Sequence, residues 1–400
     1  MTGPKDAAET RPSVYQHIGM ATQFLAVNVI PRELAAALMS VAPANPFCTK
    51  SYAEAMHANG QQVWLLGTKR GGELVAGCYG LIASGHLNRC LQIPSLPHLP
   101  SGDVFWDGLM RFCSSHRIHC LELANSLSSG THIPLLLGEV ERRDTFEYVL
   151  DLGDPDWERK LARHHRRKIE RALQAGVTVR RTAGVDACRE HVRLVATSME
   201  RRRRRGESAA VPGGVKQQRS LSLALTEKGA GELFQAVECG EVLSSAIVLR
   251  AAEGARYYTA GTSPQGTKCG ASHFLLYSIA RVLRGESVRR FDLGTAADGP
   301  GLDLFKLRFG AAPVFLEHAT FYLGSDLRRR LTTAAHYLRQ SGSALLRRIG
   351  AAGRGLQLSA SVLAPCSTAD RVPALWPPCD SAQGLGLSAA SRLGYDCFTV

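Results

Sequence analysis

The sequence contains no C-x-x-C pair and no histidine cluster at metal-binding spacing, although it holds 11 cysteines, at positions 48, 78, 90, 113, 120, 188, 239, 269, 366, 379 and 397. That scatter excludes the common zinc modules and the disulfide framework of a small secreted domain; it predicts reduced thiols, no metal and a cytoplasmic chain. A signal peptide is not recognisable either: MTGPKDAAETRPSVYQHIGM carries acids and a proline where an apolar run of about 7 to 15 residues would be needed. No stretch approaches about 18 apolar residues, so a membrane-spanning helix is not expected. Acids are in deficit, 35 against 48 basic residues, leaving a formal charge of +13. Such a balance favours an anionic partner: nucleic acid, an acidic membrane surface, or a phosphorylated substrate such as a nucleotide sugar or coenzyme A. No Ser-His-Asp or Cys-His arrangement can be argued, so nothing points to a covalent nucleophile.

What is present describes a globular chain. Four hundred residues, 45% hydrophobic and 21% charged, suffice for two domains and a tail. QQVWLLGTK (61–69) and ELVAGCYGLIAS (73–84) are β-rich runs joined by hairpin chemistry. A proline-spaced loop follows at 91–100, then an amphipathic helix at 103–116 and a strand at 118–126. The order recurs downstream, with strands at 231–238, 242–252 and 256–263, a helix at 273–285 and a strand at 288–296. This weak duplication of hairpin, helix and strand predicts two similar domains of α/β (α+β) class, each a mixed, mostly antiparallel sheet flanked by helices. Between them, 144–154 reads as a strand and 157–181 as a basic helix stopped at Gly176. A second helix, 185–207, ends in five arginines, and 208–218 reads as a loop.

Residues 1–20 read as a flexible leader. Residues 325–350 place Leu327, Leu331, Leu338, Leu345 and Ile349 near one helical face with arginines opposite, either a solvated helix or a peripheral contact with an anionic membrane at the inner face. Residues 351–400, rich in Gly, Ser, Ala and Pro, have the composition of a disordered tail.

The stretch FDLGTAADGPGLDLFKLRFG (291–310) reads as a strand, a glycine-rich loop and a helix start. Leu302, Phe305 and Phe309 share one face, so Lys306 should project from its edge, where a fixed cation could meet an oxyanion; a snorkelling surface lysine is the bland alternative. FDLG followed by GLDLFKLRFGAAPV resembles the end of the FemABX, or BioF2-like (CelD-like), acyltransferase domain. WERKLARHHRRKIERALQAGVTV is similar to that family's inter-domain segment, and NPFCTKSYAEAM (45–56) to a motif near its N-terminus. The resemblance spans about 20 to 324.

The resemblance implies tandem GNAT-like domains, over 21–155 and 156–324, transferring an acyl group to an amine. It implies acyl-CoA or another acyl thioester as donor, with aminoacyl-tRNA as the alternative, in cell-envelope polysaccharide or lipid pathways. A catalytically silent binding protein of the same fold is the third reading. By analogy Lys306 and Phe305 match the family's F-K pair, with a role in stabilising the transition state. Asp292, at a strand end, and His273 are the nearest candidate bases, neither strong. The loop TSPQGTKCGASH (262–273) lacks the usual Q/R-x-x-G-x-G/A phosphate-binding spacing; Gly266, Gly270 and Lys268, with Tyr258 on the preceding strand, are the candidate donor-binding residues. Arg166, Arg167 and Lys168 form a basic turn suited to a substrate diphosphate.

Overall fold

A computed structural model describes residues 21–84, 89–99, 103–128, 131–207, 211, 213–295 and 300–324. The leader, the 326–350 segment and the 351–400 tail expected from the sequence lie outside the described residues. In the first half the chain forms β1 (Thr22–Val27), α1 (Arg32–Val41), α2 (Lys50–Ala58), β2 (Gln62–Arg70), β3 (Glu73–Ser84), β4 (Arg89–Ile93), α3 (Asp103–Ser115), β5 (Cys120–Ala124) and β6 (Glu139–Asp151). The second half adds α4 (Arg163–Gln174), β7 (Thr178–Thr182), α5 (Val185–Arg204), α6 (Gly214–Glu227), β8 (Gly231–Glu238), β9 (Glu241–Arg250) and β10 (Gly254–Thr262). It closes with α7 (Pro264–Cys269), α8 (Ala271–Gly285), β11 (Arg290–Thr295), α9 (Pro300–Arg308) and β12 (Ala312–Tyr322).

Each half contains the duplicated unit. Antiparallel strands lead to a helix, α3 or α8, which returns the chain as a strand parallel to the one before it: β4 beside β5, β10 beside β11. Parallel neighbours require such a crossover. The sheets of the halves run on into one mixed, mostly antiparallel sheet of order β1-β2-β3-β4-β5-β12-β6-β11-β10-β9-β8-β7. The join is an exchange. Strand β6, closing the first half, lies between β12 and β11, and β12, closing the second, lies between β5 and β6.

Apolar packing follows the same interleaving. One core places Leu38, Tyr52 and Met56 of the first half against Leu221, Leu225, Leu233 and Ile247 of the second. A second, under α4 and α8, gathers Trp157, Ile169, Leu275, Ile279, Phe291 and Phe309. The third lies beneath α3 and reaches Ala319 and Phe321 of β12.

Two expected boundaries shift. The segment 157–181 is not one helix: a 3-10 turn, Trp157–Lys160, is separated from α4 by Ala162 in extended conformation, and β7 begins at Thr178. Gly176 does end the helix, at φ 74°, where a side chain would be strained. The expected loop 208–218 is shorter, because α6 starts at Gly214.

Because each half supplies a strand to the other, the halves should unfold together. Calorimetry of the full chain is expected to show one cooperative transition, and residues 156–324 made alone should show none, since β11 and β12 would lack β6 between them; two separate endotherms would contradict this.

Candidate active site

Strands β10 and β11 are paired for only three residues, Gly254–Arg256 with Arg290–Asp292. Beyond that they diverge, and each carries an irregularity at the divergence: Tyr258 is bulged out of the pairing with β9, and β11 shifts register against β6 between Asp292 and Thr295. The second irregularity is built by Gly294, at φ 75°, whose N–H donates to Asp292 Oδ1 at 2.7 Å. A bulge of this kind re-aims backbone groups and ends pairing. The resulting gap is narrow, with about 10 Å³ of free space, and is lined by Tyr257, Ser272, Leu276, Leu293, Leu302, Phe305 and Lys306.

Lys306 sits at the gap's inner end. Expected at the edge of a helical face, it is instead 1% exposed, drawn inside because its Nζ donates to the carbonyls of Gly294 at 2.9 Å and Thr295 at 2.6 Å. Through these two bonds the lysine ties α9 to the irregular end of β11. Its ammonium also lies 5.5 Å from the centre of the Tyr148 ring, within cation–π range. The Tyr148 hydroxyl donates to Asp303 Oδ1 at 2.9 Å, and its pKa is pushed up to about 12, by burial first and then by that carboxylate.

Below the gap lies a second buried cation. Arg256, 1% exposed, donates through Nη1 to Ser126 Oγ at 2.6 Å, to Glu147 Oε2 at 3.1 Å and to Asp292 Oδ2. Its guanidinium carbon is 5.3 Å from the centre of the Phe47 ring. Glu147 also accepts from Ser126 Oγ and Leu127 N, each at 2.7 Å. Asn45 reaches the same cluster through Ser95, at 2.6 Å. Asp292 is thus no free strand-end base: it is fully buried, spent on Arg256 and Gly294, and its pKa is raised by burial against the pull of Arg256.

The donor-loop residues are positioned differently from expectation. Gly266 N donates to Ser263 Oγ at 3.0 Å and Gly270 N to Gly266 O at 3.1 Å, so neither amide is left for a phosphate. Space explains both glycines: a Cβ on Gly266 would stand 2.4 Å from the Leu243 carbonyl, and one on Gly270, at φ 88°, 2.4 Å from the Lys168 carbonyl. Lys268 is exposed. Tyr258 turns to the opposite face of the sheet, toward the core shared by the halves. On α4, Arg166 donates to the Arg159 carbonyl at 2.8 Å, Arg167 is exposed and Lys168 half-buried. Of the five arginines closing α5, Arg201 donates to Thr262 O and Thr267 Oγ1 beside this loop, while the other four pair with Glu200 and Glu207.

Where α4 crosses the start of α8, His165 and His273 meet, Nδ1 to Nδ1, at 2.9 Å, with the Phe305 ring against both. Burial, then the neighbouring histidines, hold them well below the ordinary value, at about 4 and about 3 respectively. Phe305 thus packs against both imidazoles and lines the gap. Sequence reasoning did not single out Tyr148, Asp303, Arg256, Glu147 or His165. A charged residue inside the apolar strand GARYYTAGT was the available signal for Arg256.

Residues 159–306 match the family model described as an acetyltransferase (GNAT) domain, a span that ends on Lys306. Among solved structures, FemX shares the fold with a TM-score of 0.56 at 15% identity, covering 76% of this chain and 99% of FemX. A conserved protein of unknown function from Bacteroides thetaiotaomicron VPI-5482 gives a TM-score of 0.50 at 12% identity, covering 72% and 95%. No curated protein sequence matches the chain. Residues 159–306 are thus similar to a GNAT acetyltransferase domain, and the chain shares the fold of FemX. No helix among the described residues is long and apolar enough to cross a membrane.

Two consequences are measurable. Replacing Arg256 by Met should cost about 3 to 5 kcal/mol in denaturant unfolding, because Glu147 and Asp292 would remain buried without their cation; a loss under about 1 kcal/mol would refute the clamp. His191, fully buried between Ser245 Oγ and Thr259 Oγ1, has its pKa lowered by burial from 6.5 to about 3. The fold therefore favours the neutral ring, a contribution intact above pH 6.5 and lost as pH falls toward 3. His191→Gln should flatten the fall of melting temperature between those limits, whereas an unchanged acid limb would show that His191 does not contribute to it.

Proposed function

We propose that the chain is an N-acyltransferase whose donor arm enters the gap between β10 and β11 and whose acyl carbonyl reaches Lys306. The observation that carries this reading is the buried ammonium fixed at the end of a wedge between diverging strands. Diverging strands leave inward-facing N–H and C=O groups, which suit an extended arm bearing amides. The walls beside them are apolar, supplied by Leu276, Leu293 and Phe305. In the reaction the acceptor amine attacks the acyl carbon, the oxygen gathers negative charge, the bond to the leaving group breaks, and the amine loses a proton. A cation already desolvated and held in place favours that oxyanion without reorganising at the moment of reaction. Lys306 serves through its charge here, while its hydrogen bonds keep β11 in the bulged form.

The donor is an acyl thioester in this reading. With about 10 Å³ of free space the gap has to widen to admit an extended thioester arm, and the amides of Gly266 and Gly270, engaged within their own loop, are not available to the diphosphate of coenzyme A. Arg201, bonded to Thr262 and Thr267, exposed Lys268 and the basic turn Arg166, Arg167 and Lys168 supply positive charge around α7 and α8. The same engagement favours one second reading, an aminoacyl ester carried by tRNA, for which no diphosphate cradle is required. An amine of a cell-envelope polysaccharide, lipid or peptidoglycan precursor is the acceptor class we assign, on the FemABX resemblance. A cytoplasmic setting, with 326–350 touching an anionic membrane, belongs to the same proposal.

Lys306→Met keeps the chain length and removes the charge. With donors and amines tested as a panel and leaving-group release followed, the variant is expected to lose roughly 10²- to 10³-fold in kcat with a smaller change in KM. Circular dichroism would confirm that it is folded. Transfer at the wild-type rate by a folded Lys306→Met protein would refute the assignment.

A further inference from the structure

The duplicated unit places a carboxylate at the same point in each half. In the second half Asp292 is the third residue of β11 and lies opposite Arg256 of β10. In the first half Glu122 is the third residue of β5 and lies opposite Gln92 of β4. Asp292 is met by a guanidinium. Among the described residues no cation meets Glu122: Gln92 Nε2 donates to its Oε2 at 3.0 Å, and the thiols of Cys90 and Cys120 approach its Oε1 at 3.6 and 3.8 Å. The further charge acting on it is Glu141, another acid.

Cys90 and Cys120 are direct partners in the parallel register of β4 and β5, so both side chains leave the same face of the sheet. Both thiols are buried, and the ligating atoms of Cys90, Cys120 and Glu122 all lie within 4.8 Å of one another. A tetrahedral zinc ion, with Zn–S of about 2.3 Å and Zn–O of about 2.0 Å, places its sulfurs about 3.8 Å apart and each about 3.5 Å from the oxygen. The oxygen therefore already stands at close to tetrahedral spacing from both sulfurs, which lie within 4.8 Å of each other.

We infer that Cys90, Cys120 and Glu122 form a divalent metal site, of the zinc class, in the first half. The metal stands where the guanidinium of Arg256 stands in the second. Two thiolates and one carboxylate are the ligand set that selects zinc over magnesium or calcium. The fourth position falls to water. Gln92 supports both ends of this arrangement: its Nε2 orients the Glu122 carboxylate, and its own Oε1 is buried without a partner, the acceptor that a metal-bound water requires. Thiols must lose their protons to bind a metal, so uptake should release protons and strengthen as pH rises. The sequence alone hid the site, because its ligands come from two strands 30 positions apart rather than from a C-x-x-C turn.

The test is independent of acyl transfer. Full-length protein, reduced and stripped of metal, is titrated with Co²⁺, and thiolate-to-cobalt charge-transfer absorption is recorded with its stoichiometry. One equivalent bound with that absorption, displaced by Zn²⁺, is expected, with a loss of at least roughly tenfold in affinity for Glu122→Gln and disappearance of the band in Cys90→Ser with Cys120→Ser. Circular dichroism on each variant separates lost ligands from lost fold, and Glu122→Gln, nearly isosteric, keeps the test open if the cysteine variant does not fold. Absence of the thiolate band in the wild type, or its persistence in a folded Cys90→Ser, Cys120→Ser protein, would overturn the site.

Discussion

Arg256 is buried between carboxylates that come from both halves of the chain, and the arrangement of everything above it follows from that charge cluster. Its guanidinium joins β10 to Asp292 of β11, to Glu147 of β6 and to Ser126 at the end of β5, with the Phe47 ring across it. Removing such groups from water is costly and adds little net stability when a hydrophobic packing is available instead. What the cluster supplies is geometry. It fixes the last paired residues of β10 and β11 against the strand exchanged from the first half, and so sets the point at which the two strands part.

From that point the rest is local backbone chemistry. Asp292 holds Gly294 in a conformation that few other residues adopt, and Lys306 donates to the Gly294 and Thr295 carbonyls with its ammonium. The lysine is therefore structural and electrostatic at once. A residue that completes the backbone of a gap is rigidly held in it, which is what preorganised stabilisation of an oxyanion asks of a cation. Phe305, Phe309, His165 and His273 form the packed layer behind it, with both imidazoles kept neutral by burial.

Much of this was legible in the sequence wherever local pattern governs. The hairpins at β2–β3 and β8–β9, the helices α3, α5 and α8, and the duplicated order follow from apolar periodicity and turn residues, and Gly176 marked the end of α4. The F-K pair drew notice through its aromatic surroundings and through resemblance. What could not be read is what depends on pairing across long separations. The exchange of β6 and β12 joins strands more than 160 positions apart, and no local signal distinguishes it from two separate sheets. The sequence left open whether Gly266 and Gly270 hold phosphate or only open a helix, because a glycine required by a close carbonyl and one that cradles an anion are the same letter. Lys306 was placed at a helix edge because the carbonyls that draw it inward exist only once β11 has bulged.

Donor binding by the wedge between β10 and β11 is the claim on which the functional account stands, and thermal denaturation tests it most directly. The full-length protein would be melted with acetyl-CoA, long-chain acyl-CoA, acyl carrier protein thioesters and charged tRNA, each in excess. A ligand of the native state raises the midpoint by mass action, by about 2.7 kcal/mol of stabilisation at a hundred times its Kd. The account predicts a clear rise with one donor class, abolished when Ser272 on the gap wall is replaced by Trp. No rise with any donor, or a rise that the filled gap leaves intact, would contradict it.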